Sequence, residues 1–462
     1  MVQIDDICED MDFDDREDLS ETESETEECN DSFILHLSEE ELEQLQDTID
    51  ENIHAYLDEH MILYSKENFT EKMVQEITNE IAEYLFGNGP EDEEDEEEEQ
   101  DEEEGGSNRN TLKRMVEEMV HEMYPLYDIP ARSEPSCITV ETSVDHLTNI
   151  DMPVQRTREW YLFRHELFTA SNLWKLFASE CQYNSLVYEK CLPFSDTVNF
   201  SFGINNSTHW GVKYESVTTE IYKRKNGVEL MELGCIPHRK YPFIGASPDG
   251  IVVSSPYKGR MLEIKNPVNR KIDGIPSEAY WIQMQIQMEV CDLDECDFVE
   301  TQFFEYISDM EFWNDPSENQ KGVLLRCMEM DTDFPTPVYY LFPLDSVLNL
   351  MNVYEWTNAT ILQHEQQNTG KMFTCVPIYW RLDVYSCVMV RRNRAWFDSA
   401  LPIISHAWDT VLKERKEGYQ HRAPKKKIRS LVSSLSFDVN KLENAPDPTP
   451  ESDHHLDDIT EM

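Results

Sequence analysis

No run of apolar residues in this 462-residue chain is long enough to cross a bilayer as a helix, so membrane insertion is not expected. The first thirty residues are acidic where a secretory leader would be basic and then apolar, so export is not expected either. The 11 cysteines, among them Cys137, Cys181, Cys235, Cys327 and Cys387, stand singly, with no CxxC pair and no histidine at zinc spacing. That argues against a zinc module or a disulfide framework and for reduced thiols in an intracellular protein. Basic side chains are scarce, 39 Lys and Arg against 93 Asp and Glu, a formal net charge of -54. Taken as a whole, that balance opposes nucleic-acid binding, because phosphate affinity comes from cations releasing counterions.

The charge is unevenly spread. Residues 1–150 hold 49 acidic and 7 basic side chains, so most of the deficit lies in the first third and the rest of the chain is only mildly acidic. Forty per cent apolar residues leave ample material for a large core. Residues 1–34 carry too few apolar anchors to offset the entropy of ordering and read as disordered. Residues 35–88 read as a small helical unit: Ser38 and Glu41 have capping-box spacing, and Leu42, Leu45, Ile49, Ile53 and Leu57, then Met73, Ile77, Ile81 and Leu85, recur at helical period. Residues 89–110 contain a nearly unbroken acidic run followed by Gly105, Gly106 and Ser107, the pattern of an extended, flexible linker. A short helix near residues 111–123 and an irregular stretch to 153 lead into a unit at 154–417 with mixed α/β character. Residues 418–462 read as a disordered tail, whose cluster Lys425, Lys426, Lys427 and Arg429 is open to reading as a nuclear import signal, a phosphate contact or a solvated stretch.

Within 154–417 the elements expected are short helices at 160–168 and 171–177, the second capped by Ser171, and an amphipathic helix at 208–225 with Trp210, Tyr214, Val217 and Ile221 on one face. A hairpin follows, with strands at 244–253 and 260–265 around a turn at 254–259. Next come a helix at 277–290, strands at 298–306, 338–342 and 380–390, and a helix at 396–413.

The hairpin carries the chemistry. Ser247-Pro248-Asp249-Gly250 stands before Leu262-Glu263-Ile264-Lys265, and Glu263 and Lys265, two apart on a strand, point to one face. Asp249 and Glu263 would offer hard oxygens to a divalent cation, with the Ile264 carbonyl as a further ligand, and Lys265 would orient an attacking water and offset developing negative charge. The plain alternative is a cross-strand Glu/Lys pair beside a turn. Glu215, on the 208–225 helix, is placed to reach a second metal, and Gln283 and Gln287 share a helical face, with Gln285 between them.

The order Trp160, Arg164, Thr169-Ala170-Ser171, Trp210-Gly211, Tyr214-Glu215, Ser247-Pro248-Asp249-Gly250, Leu262-Glu263-Ile264-Lys265, then Tyr280 to Gln283 and Gln285, resembles the lambda exonuclease family, the YqaJ-like viral recombinase nucleases, over roughly residues 156–415. The resemblance implies a PD-(D/E)XK core, a mixed central sheet flanked by helices, preceded here by the acidic, partly helical extension. It implies Asp249, Glu263 and the Ile264 carbonyl on a first metal ion, Mg²⁺ or Mn²⁺, and Glu215 with Asp249 on a second. By the same match Lys265 and Gln283 position the water, while Arg164 and Ser171 hold a terminal 5′ phosphate. The implied activity is 5′ to 3′ digestion of double-stranded DNA from free ends in recombination, repair or replication, with a single-strand annealing protein and a homo-oligomer as implied partners. The acidic front, the tail and the segments 311–321 and 358–372 have no counterpart in the compact phage enzyme and look like those of large eukaryotic DNA viruses, which points to the nucleus or a cytoplasmic viral replication site. Two other readings stand beside this one: an endonuclease on the same core, and a non-enzymatic acidic interaction protein with an inert nuclease-like domain.

Overall fold

The computed structural model describes residues 37–66, 68–86, 99–123, 137–150, 152–155, 157–194, 207–254, 256–330 and 336–424. The expectations for residues 1–34, for the first part of the acidic linker and for the basic cluster at 425–429 lie outside them.

The helical extension begins with α1 (Glu39–His60), where Ser38 accepts from the Glu41 amide and the Glu41 carboxylate accepts from the Ser38 amide, a complete capping box. It continues with α2 (Phe69–Phe86) and α3 (Glu99–Met123). Leu45, Ile49, Ile53 and Leu57 of α1 are buried with Met73, Ile77 and Ile81 of α2 and with Leu112 and Val116 of α3. Helix α3 starts twelve residues earlier than the 111–123 helix expected, inside the stretch read as extended linker. Glutamate is a good helix former, so the composition of that stretch is compatible with a helix. A further helix, α4 (Cys137–Thr148), occupies part of the lead-in expected to be irregular and buries Val144 and Leu147.

The extension shares one apolar cluster with the α/β unit. The Tyr64 ring stacks on Trp281 with centroids 6.0 Å apart, and the Lys66 ammonium donates to Glu278 at 2.8 Å and to the Phe177 carbonyl at 2.9 Å. These contacts place the turn after α1 against the start of the helix that carries Gln283.

The α/β unit runs through α5 (Arg158–His165), β1 (Phe168–Thr169), α6 (Ala170–Leu173), α7 (Glu180–Cys191), α8 (Ser207–Asn226), β2 (Leu230–Met231), β3 (Ile236–Pro237), β4 (Ile244–Ala246), β5 (Gly250–Val252) and β6 (Met261–Lys265). It then continues with α9 (Glu278–Cys291), β7 (Glu295–Glu305), α10 (Asp309–Asn314), β8 (Lys321–Glu329), β9 (Val338–Leu341), α11 (Leu350–Gln367), β10 (Phe373–Arg391) and α12 (Arg394–Glu417). Seven strands form a mixed sheet in the order β2-β5-β6-β7-β10-β8-β9, in which β6 and β7 are parallel and the other pairs antiparallel. Tyr214, Val217 and Ile221 of α8 pack on Phe303, Leu324 and Trp380 at one face. Met261, Phe298, α9 and α12 join the main cluster at the other. The expected class, a mixed sheet flanked by helices behind a helical extension, is the one found.

One strand expected at 244–253 is two. Strand β4 belongs to a separate three-stranded sheet, β1-β4-β3, while β5 pairs with β6. Pro248 has no amide hydrogen to continue a ladder, so the chain changes sheets across 247–249. Asp249 therefore sits in the break, its amide still donating to the Leu262 carbonyl at 3.1 Å. Gly250 is the first residue of β5, with the Leu230 side chain 3.4 Å from where a Cβ would stand, an ordinary contact distance.

Other departures are local. Ser171 lies inside α6, whose N-cap is Thr169, so it is not the cap expected. Cys327 and Cys375, facing each other in register across β8 and β10, form a disulfide, which corrects the reading of uniformly unpaired thiols; strand pairing 48 residues apart is what brings them together. Residues 418–424, assigned to the tail, fold back as a short 3-10 turn held by the Arg422 guanidinium, which forks onto Glu414 at 2.6 and 2.7 Å. The segments 311–321 and 358–372 overlap α10 and α11.

Candidate active site

Alternation along β6 decides which side chains meet. Leu262 and Ile264 face the α8 side and pack with Tyr222, Val252 and Val299. Met261, Glu263 and Lys265 therefore face α9. Helix α9 answers with two amides one turn apart: Gln283 Nε2 donates to Glu263 Oε1 at 2.7 Å and Gln287 Nε2 to Glu263 Oε2 at 2.8 Å. The Lys265 ammonium donates to the same Oε1 that Gln283 holds and lies 4.9 Å above the Tyr280 ring. Glu263 is 1% exposed, and both of its oxygens are met by donors, as a buried acidic group requires.

Asp249 reaches the same strand from the other side of the sheet break, its Oδ2 accepting the Ile264 amide at 2.7 Å. Burial and the nearby Glu263 carboxylate push its carboxyl well above the ordinary aspartate range; Lys265 and the Ile264 amide oppose the shift, and Glu215 adds to it. Glu215 is thus close enough to act on Asp249, which is how far the structure gathers the four residues of the expected acidic set. For Lys265, burial alone favours losing the proton, but attraction to Glu263 and Asp249 outweighs it and holds the ammonium above the usual lysine range.

Helix α8, which carries Glu215, is tied to the end of β6. Thr218 Oγ1 donates to Asn266 Oδ1 at 2.8 Å, and Asn266 Nδ2 donates to the Gly211 carbonyl at 3.3 Å. Asn266, next to Lys265, carried no signal in the sequence beyond that adjacency, because its partners lie 48 and 55 residues away.

Of the three alternating glutamines only two face the carboxylates. Gln285 points the opposite way: its Nε2 donates to the Arg391 carbonyl at 2.9 Å and its Oε1 accepts the Asn393 amide at 2.6 Å. Its partners are backbone groups at the β10–α12 junction. Gln287, which the sequence placed on the right face without a role, is the second amide on Glu263.

The expected phosphate residues gather at the small sheet. Parallel β1 and β4 pair Thr169 with Gly245, so Ser171 and Ser247 both follow their strands at the same end. Antiparallel β3 and β4 pair Ile236 with Ala246, which brings Cys235 opposite Ser247. Ser171 is exposed, and its hydroxyl is 3.3 Å from that of Thr169. The Arg164 guanidinium lies 4.4 Å over the Trp160 ring and against Cys235, and the buried Ser247 hydroxyl sits beside the same thiol.

Asp249, Glu263 and the Ile264 carbonyl are hard oxygen donors, and the repulsion that raises Asp249 is what a divalent cation between two carboxylates would relieve. Among the described residues there is no ready group of three or more His, Cys, Asp or Glu side chains for a metal ion. The donor set fits Mg²⁺ in the form that ion commonly takes, one or two carboxylates completed by water and substrate oxygens.

Residues 159–294 match the YqaJ-like viral recombinase domain family, the family expected from the motif order. An uncharacterised protein of Acanthamoeba polyphaga mimivirus is 28% identical over 342 residues, 66% of this chain and 60% of the relative, so the match spans less than two-thirds of that relative's length. Among solved structures, an alkaline exonuclease from Laribacter hongkongensis is 18% identical with a TM-score of 0.32, covering 57% of this chain and 95% of the other. A phage-related exonuclease from Haemophilus somnus is 16% identical with a TM-score of 0.30, covering 54% and 96%. Among the described residues no helix is long and apolar enough to cross a membrane.

Proposed function

We propose, for a chain that carries a YqaJ-like viral recombinase domain over residues 159–294, that it is a metal-dependent deoxyribonuclease digesting double-stranded DNA from free ends in the 5′ to 3′ direction, with residues 154–417 as the nuclease unit. The observation that carries the reading is Glu263: a buried carboxylate held by Lys265, Gln283 and Gln287, beside an Asp249 whose protonation the pocket favours. A structural ion pair would need one cation; two added amides on the Glu263 oxygens and a second carboxylate close by suit a site that exchanges these bonds for a cation and a water.

In this reading Asp249, Glu263 and the Ile264 carbonyl hold Mg²⁺ or Mn²⁺, with Glu215 and Asp249 at a second position. A bound divalent cation supplies an acidified water and neutralises charge on the scissile phosphate. Lys265 keeps its proton, so its part is to orient the water and offset developing negative charge rather than to take a proton. Gln283 shares Glu263 Oε1 with Lys265 and steadies both. Arg164, backed by Trp160, and Ser171 receive the 5′ phosphate of the end being digested. Such an enzyme suits viral DNA recombination, repair or replication beside a single-strand annealing partner.

The test compares 5′-phosphorylated linear, 5′-hydroxyl linear and closed circular duplexes with Mg²⁺, with Mn²⁺ and in EDTA. Loss of linear DNA with either metal, faster for phosphorylated ends and absent in EDTA, is expected. Circles cut as fast as linear DNA would replace the end-directed reading with an endonuclease. No cleavage of any substrate would leave the acidic interaction protein as the better account.

A further inference from the structure

Arg164 has a buried cationic neighbour. Lys190, on α7, is 4% exposed, and its ammonium donates to the Arg164 carbonyl at 2.8 Å, in the last turn of α5. The groups that face it come from four elements: Arg164 of α5, Glu189 of its own helix, Cys235 before β3, and Arg415 of α12. Arg415 braces the same corner, donating to the Lys190 carbonyl at 2.9 Å, to the His165 carbonyl at 3.4 Å and to Glu166 at 2.7 Å. Among the described residues the Lys190 ammonium forms no salt bridge; Glu189 acts on it without contact, and pairs instead with Lys175 at 3.8 Å.

A helix end needs only a hydrogen-bond donor, which a neutral side chain supplies as well. Burying an unpaired ammonium beside a guanidinium is costly, and the cost is recovered when an anion arrives. We infer that Lys190 is a positioning residue for end recognition, holding the Arg164 turn and adding the second positive charge that a doubly charged terminal phosphate calls for, so that preference for phosphorylated ends weakens as pH rises. This rests on the assignment of Arg164 to the 5′ phosphate. Burial, and after it the neighbouring Arg164, pulls the Lys190 ammonium down to about 8, with Glu189 and Cys235 opposing, so its charge is present at neutral pH and lost through the mildly alkaline range. A terminal phosphate, whose second proton leaves near pH 6, is a dianion throughout that range.

The experiment measures kcat/KM on 5′-phosphoryl and 5′-hydroxyl linear duplexes from pH 7 to pH 9.5 and follows their ratio, which cancels any pH effect on the shared hydrolytic step. For the wild type the ratio falls at least about tenfold, because losing one positive charge near a dianion weakens its binding even at an effective dielectric near 20. Lys190→Arg keeps the charge and holds the ratio high to pH 9.5; Lys190→Met lowers it at pH 7 and flattens it. A merely structural lysine would slow both substrates together and leave the ratio flat in the wild type. A flat wild-type ratio that Arg164→Gln abolishes overturns the Lys190 inference and leaves end recognition standing. A ratio near one at every pH, unchanged by Arg164→Gln, overturns both.

Discussion

The two ends of the candidate site are built on opposite electrostatic plans. At the β6–α9 end, one ammonium and two amides are all spent on Glu263, while burial and the neighbouring Glu263 carboxylate keep the Asp249 carboxyl protonated beyond its usual range. At the α5–α7–α12 end, Arg164, Lys190 and Arg415 converge on one helix terminus with Glu166 as the acid in hydrogen-bonding contact. Each end is short of the opposite charge, one of a cation and the other of an anion. In a chain of net charge -54, the total therefore says little about what either pocket binds. A phosphodiester strand arriving with a divalent cation answers both shortfalls together.

Removing the ammonium from the acidic end is the severest way to break that contrast. Lys265→Met leaves Glu263 buried and underpaired, and is expected to lower kcat by roughly 10²–10³-fold and to cost roughly 3–5 kcal/mol of folding stability. Digestion of linear duplex and urea denaturation read the two effects separately. Wild-type turnover in this variant would mean that the acidic end is a structural ion pair. The matching change at the cationic end is milder. Arg164→Gln takes one charge-assisted contact from the phosphate, worth about 1.5–3 kcal/mol, so kcat/KM on 5′-phosphorylated ends should fall about ten- to a hundredfold while 5′-hydroxyl ends change little. Equal losses on both ends would show that Arg164 supports α5 rather than binding the end.

How much of this was legible in the sequence depended on how far apart the partners lie. The α1 capping box needs only Ser38 and Glu41, three residues apart, and the inward face of α8 needs only helical period, so both could be read directly. Glu263 and Lys265 share a strand face by alternation alone. The contrast between the two ends was not legible, because it depends on pairings between distant segments. Pro248 splits the expected strand between two sheets, and this sets Asp249 against Ile264 and Cys235 opposite Ser247. Lys190 lies on a helix with little amphipathic period, in a segment the sequence left unassigned, so its burial against Arg164 came from packing alone. The three glutamines of α9 made a conspicuous pattern, yet only the fold could tell that Gln285 serves the start of α12 while Gln283 and Gln287 serve Glu263.

The finest test of the contrast concerns stability without substrate. The folded state favours the protonated form of Asp249, first through burial and then through Glu263, so its folded pKa lies above the unfolded one. The stabilising contribution of such a carboxyl is present in full below the unfolded value and is lost as pH rises through the raised folded value. At neutral pH, in the absence of a divalent cation, Asp249 is therefore a net cost to the fold. Asp249→Asn removes the charge and keeps an oxygen to accept the Ile264 amide. In EDTA at pH 7.5 the variant should melt above the wild type by roughly 1–2 °C, the shift that about 1 kcal/mol produces in a protein of this size. The gap should close as the pH is lowered towards the ordinary carboxyl range, and Mg²⁺ should raise the wild type more than the variant, because binding to the folded form alone adds stability. A variant that melts below the wild type at neutral pH would mean that Lys265 already over-compensates Asp249, and the acidic end would then not be short of a cation.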